Sequence, residues 1–196
     1  MKSYLSSIVL LLIVTANAQE NMKKEFPYAS IPDAPSEYTA TTVTSRMIDG
    51  LGFRYYWATE GLTTENLKYK PSPKGRTIAE TMQHIHGLVL VILNSAKKVP
   101  NDRTIEREQP TLGELRERTL TNLKLASELI KASDDLSEHK VIFKNQKGTT
   151  EYPFWNQING PIEDAVWHTG QIVLMRRAAG NPFNSKVSVF NGRVRE

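Results

Sequence analysis

Residues 77–98 read TIAETMQHIHGLVLVILNSAKK. Thr77 followed three positions on by Glu80 is a capping box, in which each side chain satisfies the other residue's backbone N–H at a helix start. Ile78, Met82, Ile85, Val89, Ile92 and Ala96 then recur every three or four residues, the period of a helix with one apolar face. Leu88, Leu90 and Val91 widen that face until the second half is apolar almost all round. A helix of that kind belongs at the centre of a helical protein.

Helical spacing recurs on both sides of this run. Upstream, Met47, Leu51, Tyr55, Ala58 and Leu62 form a core stripe for a first helix over about Thr42 to Gly61. Gly50 and Gly52 weaken it by roughly 1 kcal/mol each relative to alanine, and permit close approach of another helix. Pro71, Pro73 and Gly75 mark the loop before Thr77. Downstream, Thr111 and Glu114 repeat the capping box, and Leu115, Leu120, Leu123, Leu129 and Ile130 carry a third helix to about Ala132. Val141–Phe143 and Thr149–Tyr152 flank Gln146, Lys147 and Gly148, the pattern of a small β-hairpin. Pro161 suits the first turn of a fourth helix, with Asn159 or Gly160 as its cap, and Gly180 before Pro182 is its stop near Ala179. The tail residues Phe183, Val187, Val189 and Phe190 are expected to pack back on the helices. The fold class is therefore all-α, a four-helix bundle with a small hairpin between helices three and four.

The N-terminus has a different character. Lys2 precedes an apolar run from Ile8 to Val14, and Ala16, Asn17 and Ala18 form a small-x-small cleavage site. The run is shorter than the ~20 residues a bilayer span requires. It predicts a signal peptide over 1–18, export to the periplasm or medium, and no stable membrane anchor after cleavage. Residues 19–40, with Pro27, Pro32 and Pro35, read as an extended lead-in, and 41–196 as the bundle with its tail. The chain has no cysteine, so neither a disulfide framework nor a lipid-modified cysteine is available. The formal net charge of +4 falls by one when Lys2 leaves with the leader. That balance, with no basic stripe or stacking platform, argues against a nucleic-acid partner. Lys186, Arg193 and Arg195 are the nearest thing to a basic cluster and read as a solvated tail. No glycine-rich phosphate loop or nucleophile elbow is present.

The four histidines, His84, His86, His139 and His168, bound the chemistry, because any strong transition-metal site must be built from them and carboxylates. Asp164 and His168 lie four apart and so share one helix face, about 5–6 Å apart at Cβ. Spacing alone favours an ordinary surface pair over two metal ligands. His84 and His86 cannot share a face, and periodicity does not choose between them as a third ligand. His139, between Glu138 and Lys140, is expected to be exposed.

Thr77-Ile78-x-Glu80-x-x-x-His84-Ile85 resembles the second helix of the DinB-like (DinB/YfiT) superfamily. Asp164-x-x-x-His168-x-Gly170-Gln171-Ile172, with Arg176 and Gly180, resembles its fourth. The resemblance extends over most of the chain beyond the leader. It implies a four-helix bundle that binds a divalent metal through one ligand from helix two and two, four apart, from helix four: here His84, Asp164 and His168. Asp164 stands where that family commonly has histidine. The carboxylate lowers the site charge by one and shifts preference from Zn or Ni towards harder ions such as Fe(II) or Mn(II).

An open site of that kind acidifies bound water and polarises a carbonyl, so the expectation is a metal-dependent hydrolase acting on a small molecule through metal-bound water. The resemblance also brings thiol-dependent transferases, which export argues against. The alternative is a non-catalytic bundle that binds a small ligand or partner, and a homodimer stays open. Gln171 is placed to orient a ligand, and Arg54, Tyr56 and Trp57 to line the pocket mouth. Arg176 reads as an anion binder or, more simply, as a partner for the helix dipole. Trp155 and Trp167 read as core or rim residues.

Overall fold

The computed structural model describes residues 25–106 and 108–196, so the leader and its cleavage site lie outside the described residues. The described chain is mostly helical. In order it forms α1 (Ala40–Thr59), α2 (Thr64–Lys68), α3 (Ile78–Ala96), β1 (Asn101–Asp102), α4 (Leu112–Lys131), β2 (Val141–Asn145), β3 (Gly148–Tyr152), α5 (Trp155–Gln157), α6 (Glu163–Ala178), β4 (Val187–Ser188) and β5 (Arg193–Val194). Among the described residues no helix is long and apolar enough to cross a membrane.

The caps act as their sequences dictate. Thr77 and Glu80 close one capping box, Thr111 and Glu114 another. Two more come from pairs with no acidic member, Thr39 with Thr42 and Thr63 with Asn66. The second starts α2, a single short turn of helix absent from the sequence reading because an S/T-x-x-N pair is a weak signal. Gly180, at φ +75°, ends α6 as expected.

Four long helices close a ring: α1 packs on α4 and α6, and α3 packs on the same two. The α3 stripe from Ile78 to Ala96 is buried throughout, and it meets Leu51, Tyr55 and Ala58 of α1 and Leu115, Leu120, Leu123 and Ile130 of α4. Truncating one such leucine to alanine costs about 2–5 kcal/mol. Leu88, Leu90 and Val91 correct the expectation of a wholly enclosed α3. They are only partly buried and line an open groove.

Gly52 admits something other than a helix. A Cβ there would lie 2.4 Å from the ring of Tyr28, so the absence of a side chain lets the lead-in segment dock on α1. Tyr28 is buried, and its hydroxyl donates to Asp49 Oδ1 at 2.8 Å. Burial and the adjacent Asp49 carboxylate push the phenol's pKa up. At Tyr28 the described part of the lead-in is therefore packed against α1. The tail is packed in part: Val187 is buried and Gly192 accepts from the N–H of Ile31 at 2.9 Å, whereas Phe190 stays 98% exposed, against expectation.

The hairpin forms with Val141 opposite Tyr152 and Asn145 opposite Gly148. β1 adds a third strand, parallel to β2, with Asn101 opposite Phe143. A two-residue strand joined to its partner across a whole helix leaves no local signal. Between β3 and α6 the chain runs through α5 and a π-type turn, Ile158–Ile162, broken at Gly160 (φ −94°, ψ −107°). Neither Asn159 nor Gly160 is the cap of α6: Ile162 occupies that position, and the N–H of Glu163 donates to the carbonyls of Ile158 and Gly160. A preceding turn already supplies the acceptors that a cap would provide.

Gln157, on α5, is 1% exposed, and neither end of its amide has a partner among the described residues. Gln157→Met, close in volume and free of polar atoms, is expected to raise unfolding stability by about 1–2 kcal/mol, read by urea denaturation. A loss of stability would show that the amide is satisfied.

Candidate metal centre

His84 projects from the middle of α3. Asp164 and His168 project from the first two turns of α6, one helical turn apart. The α3–α6 packing brings the two helices together so that the three side chains converge. His168 Nε2 lies 3.2 Å from Asp164 Oδ1, and His84 Nε2 lies 3.6 Å from Asp164 Oδ2. One ligand atom from each of the three falls within 4.8 Å of the others, the one such group among the described residues. The two imidazole rings meet edge to face, with centroids 4.4 Å apart at 88°.

Small side-chain adjustments would bring one atom of each residue to the separations that a bound ion requires. Donors each ~2.1 Å from an ion at tetrahedral angles sit roughly 3.4 Å apart. Exposure suits it as well: the His168 side chain is 14% exposed, His84 32% and Asp164 38%, so the donors are held by the protein yet reachable from solvent. Partial burial, then His168 and Arg76, hold the His84 imidazole below its ordinary pKa, with Asp164 opposing. A neutral ring offers the lone pair that coordination needs.

Gln171, one turn beyond His168, stands where the sequence placed it. His168 Nδ1–H donates to Gln171 Oε1 at 2.9 Å, which orients the ring with Nε2 towards Asp164. Gln171→Leu is expected to weaken metal affinity by about 10–100-fold with the helix content unchanged. Titration against a competing chelator measures this, and an unchanged affinity would remove Gln171 from the site.

Tertiary packing resolves the choice between His84 and His86. Two positions along a helix turn the side chain by roughly 200°, so His86 points into the α3–α4 seam. It is buried there, its Nδ1–H donating to Thr119 Oγ1 at 2.9 Å, while Thr119 donates onward to the Leu115 carbonyl at 2.7 Å. Burial and Arg118 lower its pKa. His139 corrects the sequence expectation outright. It is 2% exposed, locked between the Ser95 carbonyl at 3.2 Å and the Ser133 hydroxyl at 2.8 Å, with the Ser95 hydroxyl bonding its carbonyl in return. Polar sequence neighbours say nothing about a side chain that folds under α3.

The helix-one residues expected at the pocket mouth are elsewhere. Arg54 and Trp57 line a separate hollow of about 360 Å³ with Val166 and Gly170, residues facing away from the Asp164–His168 side of α6. Arg54 donates to the Gly50 carbonyl at 2.9 Å, and Trp57 Nε1 to the Ala29 carbonyl at 3.1 Å. Tyr56 lies under the guanidinium of Arg116, 4.5 Å from it. Trp155 and Trp167 are surface residues, 76% and 73% exposed. Arg176 is turned inward, away from any substrate. It is buried, and its guanidinium donates to the carbonyls of Trp57 (3.0 Å), Ala58 (2.9 Å) and Asn181 (2.7 Å).

The triad borders an open groove of about 630 Å³, within the range of small-molecule sites. His84 and Asp164 form part of its wall, with Leu88 and Val91 of α3, Pro161 of the π-type turn, and Arg103 and Phe143 of the sheet. The last two escaped the sequence reading, since β1–β2 pairing brings them to α3. No family model, curated protein or solved structure matches the chain.

Proposed function

We propose that the protein is an exported member of the DinB-like superfamily, a four-helix bundle acting as a metal-dependent hydrolase on a small molecule. The observation carrying the reading is the convergence of His84, Asp164 and His168 beside a groove open to solvent. The superfamily assignment rests on the motifs around His84 and His168, and export on the leader sequence.

A divalent ion held there supplies Lewis acidity and lowers the pKa of a coordinated water to near neutrality. The two histidines contribute neutral nitrogen donors and Asp164 one negative charge, leaving a net positive site. Gln171 holds the His168 ring by a hydrogen bond at Nδ1. Leu88, Val91 and Pro161 give the groove apolar walls that hold an organic substrate against the donors and thin the water around them.

Elemental analysis of protein purified without added chelator tests the reading. The expected result is one divalent ion per chain, with a melting temperature that falls on its removal and recovers on adding Zn, Ni, Fe(II) or Mn(II). Protein that binds none of these, and gains no stability from any, would leave a non-catalytic binding scaffold.

A further inference from the structure

Arg103 is the one strong cation lining the groove beside the triad, and the fold places it there by three separate contacts. Its backbone N–H donates to the Lys144 carbonyl at 2.8 Å, continuing the β1–β2 pairing past Asp102. Asn101, two residues earlier, is pinned by Asn94, whose Nδ2 donates to Asn101 Oδ1 at 2.9 Å, and by its own Nδ2 donating to the Ile142 carbonyl at 3.1 Å. The guanidinium then lies over the Phe143 ring, 4.8 Å from its centroid. Stacking of this kind orients the planar fork and leaves its N–H edge free to bond.

The acid beside it in the chain is engaged elsewhere. Asp102 is taken by Lys144 Nζ at 2.8 Å and by the hydroxyl and N–H of Thr104 at 2.6 and 2.9 Å. Those contacts hold its carboxyl at about 2. Among the described residues Arg103 makes no ion pair. An oriented guanidinium with no ion pair therefore faces the same groove as His84 and Asp164, with Leu88, Leu90, Val91 and Phe143 supplying apolar wall between them.

We propose that Arg103 is the specificity-determining residue of this groove, binding the oxyanion head of an anionic small-molecule substrate, a carboxylate or phosphate, whose apolar body lies along Phe143, Leu88 and Val91. The assignment rests on the metal-centre reading for its place in a reaction, but the binding it describes does not need the ion. Arginine suits either oxyanion because its paired N–H groups match both geometries. Against a neutral substrate of the same shape, the groove offers no partner for the guanidinium, which must then be covered unpaired.

The test titrates chelator-treated, full-length protein with 3-phenylpropionate, phenylphosphonate and the neutral 3-phenylpropionamide, followed by NMR chemical shifts. Wild type is expected to bind at least one of the two anions roughly tenfold more tightly than the amide, and which one identifies the head group. Arg103→Gln is expected to erase that preference while binding the amide as wild type does. Arg103→Lys is expected to retain part of it, as a point charge without the fork. Because Arg103 is exposed, all three proteins should melt together, and metal-loaded Arg103→Gln should hold as much ion as wild type. Equal binding of anion and amide by wild type, or undiminished anion binding by Arg103→Gln, overturns the proposal. Loss of the ion in Arg103→Gln would also overturn it, by making the residue structural. Wild type that takes up no divalent ion when Zn, Ni, Fe(II) or Mn(II) is supplied, yet shows the anion preference, would sink the hydrolase reading alone.

Discussion

His168→Ala is expected to lose the bound ion while keeping its fold. The substitution removes one of three protein donors, and a change merely behind a ligand already costs about 10–100-fold in affinity, so losing the ligand itself should cost more. The helix should not suffer. Alanine is the best helix former, and the ring of His168 contacts His84, Asp164 and Gln171, the residues of the site itself. Chelator-treated wild type and mutant should therefore unfold within about 1 kcal/mol of each other. The difference appears with metal present. Free ion at 100 times its Kd stabilises a binding-competent chain by about 2.7 kcal/mol, which for a domain of this size raises Tm by roughly 5–11 °C. Wild type should show that rise and the mutant almost none. His86→Asn is the control: its ring bonds Thr119 across the α3–α4 seam, so it should lose stability and keep the ion. Equal metal content in wild type and His168→Ala, measured by elemental analysis, would end the metal assignment.

Arg176→Met is expected to be among the most destabilising single changes in the chain. Arg176 is 2% exposed and spends its guanidinium on backbone carbonyls. Trp57 and Ala58 belong to the last turn of α1, where carbonyls have no intrahelical partner. Arg176 satisfies both, and the carbonyl of Asn181 as well, so it caps one helix from another and ties the α6 exit to both. Methionine fills similar space but leaves three acceptors orphaned, each costing about 1–3 kcal/mol. With partial relief from water, a net loss of about 3–5 kcal/mol is expected in urea denaturation. Arg176→Lys should recover little, since one ammonium on a flexible stem cannot serve three diverging carbonyls. A loss below about 1 kcal/mol would show that these carbonyls are satisfied otherwise. The same contacts explain why Arg176 is not a substrate group: its donors are already committed inside the protein.

The four long helices were legible because their signals are local. Capping boxes at Thr77 and Thr111, and a 3.6-residue apolar period, are properties of neighbouring residues, and the observed helices begin within about two residues of the expected ones. The hairpin was legible for the same reason. Asp164, His168 and Gln171 were legible as a set on one face, because i, i+4 and i+7 spacing fixes that before any packing occurs. His139 was misread because the Ser95 and Ser133 contacts that bury it come from other segments.

The sequence by itself determined where the helices lie, that two candidate ligands share a face of the last one, and that no thiol competes for a metal. Only the tertiary structure decided that His84 and not His86 completes the group, that Arg54 and Trp57 belong to a different hollow, and that Arg103 faces the donors. The physical reason is range. Periodicity records which way a side chain points from its own helix axis, whereas the packing of α3 on α6 and the pairing of β1 with β2 bring together residues far apart in the chain. That pairing is set by the fit of whole buried faces, to which no short stretch of sequence gives access.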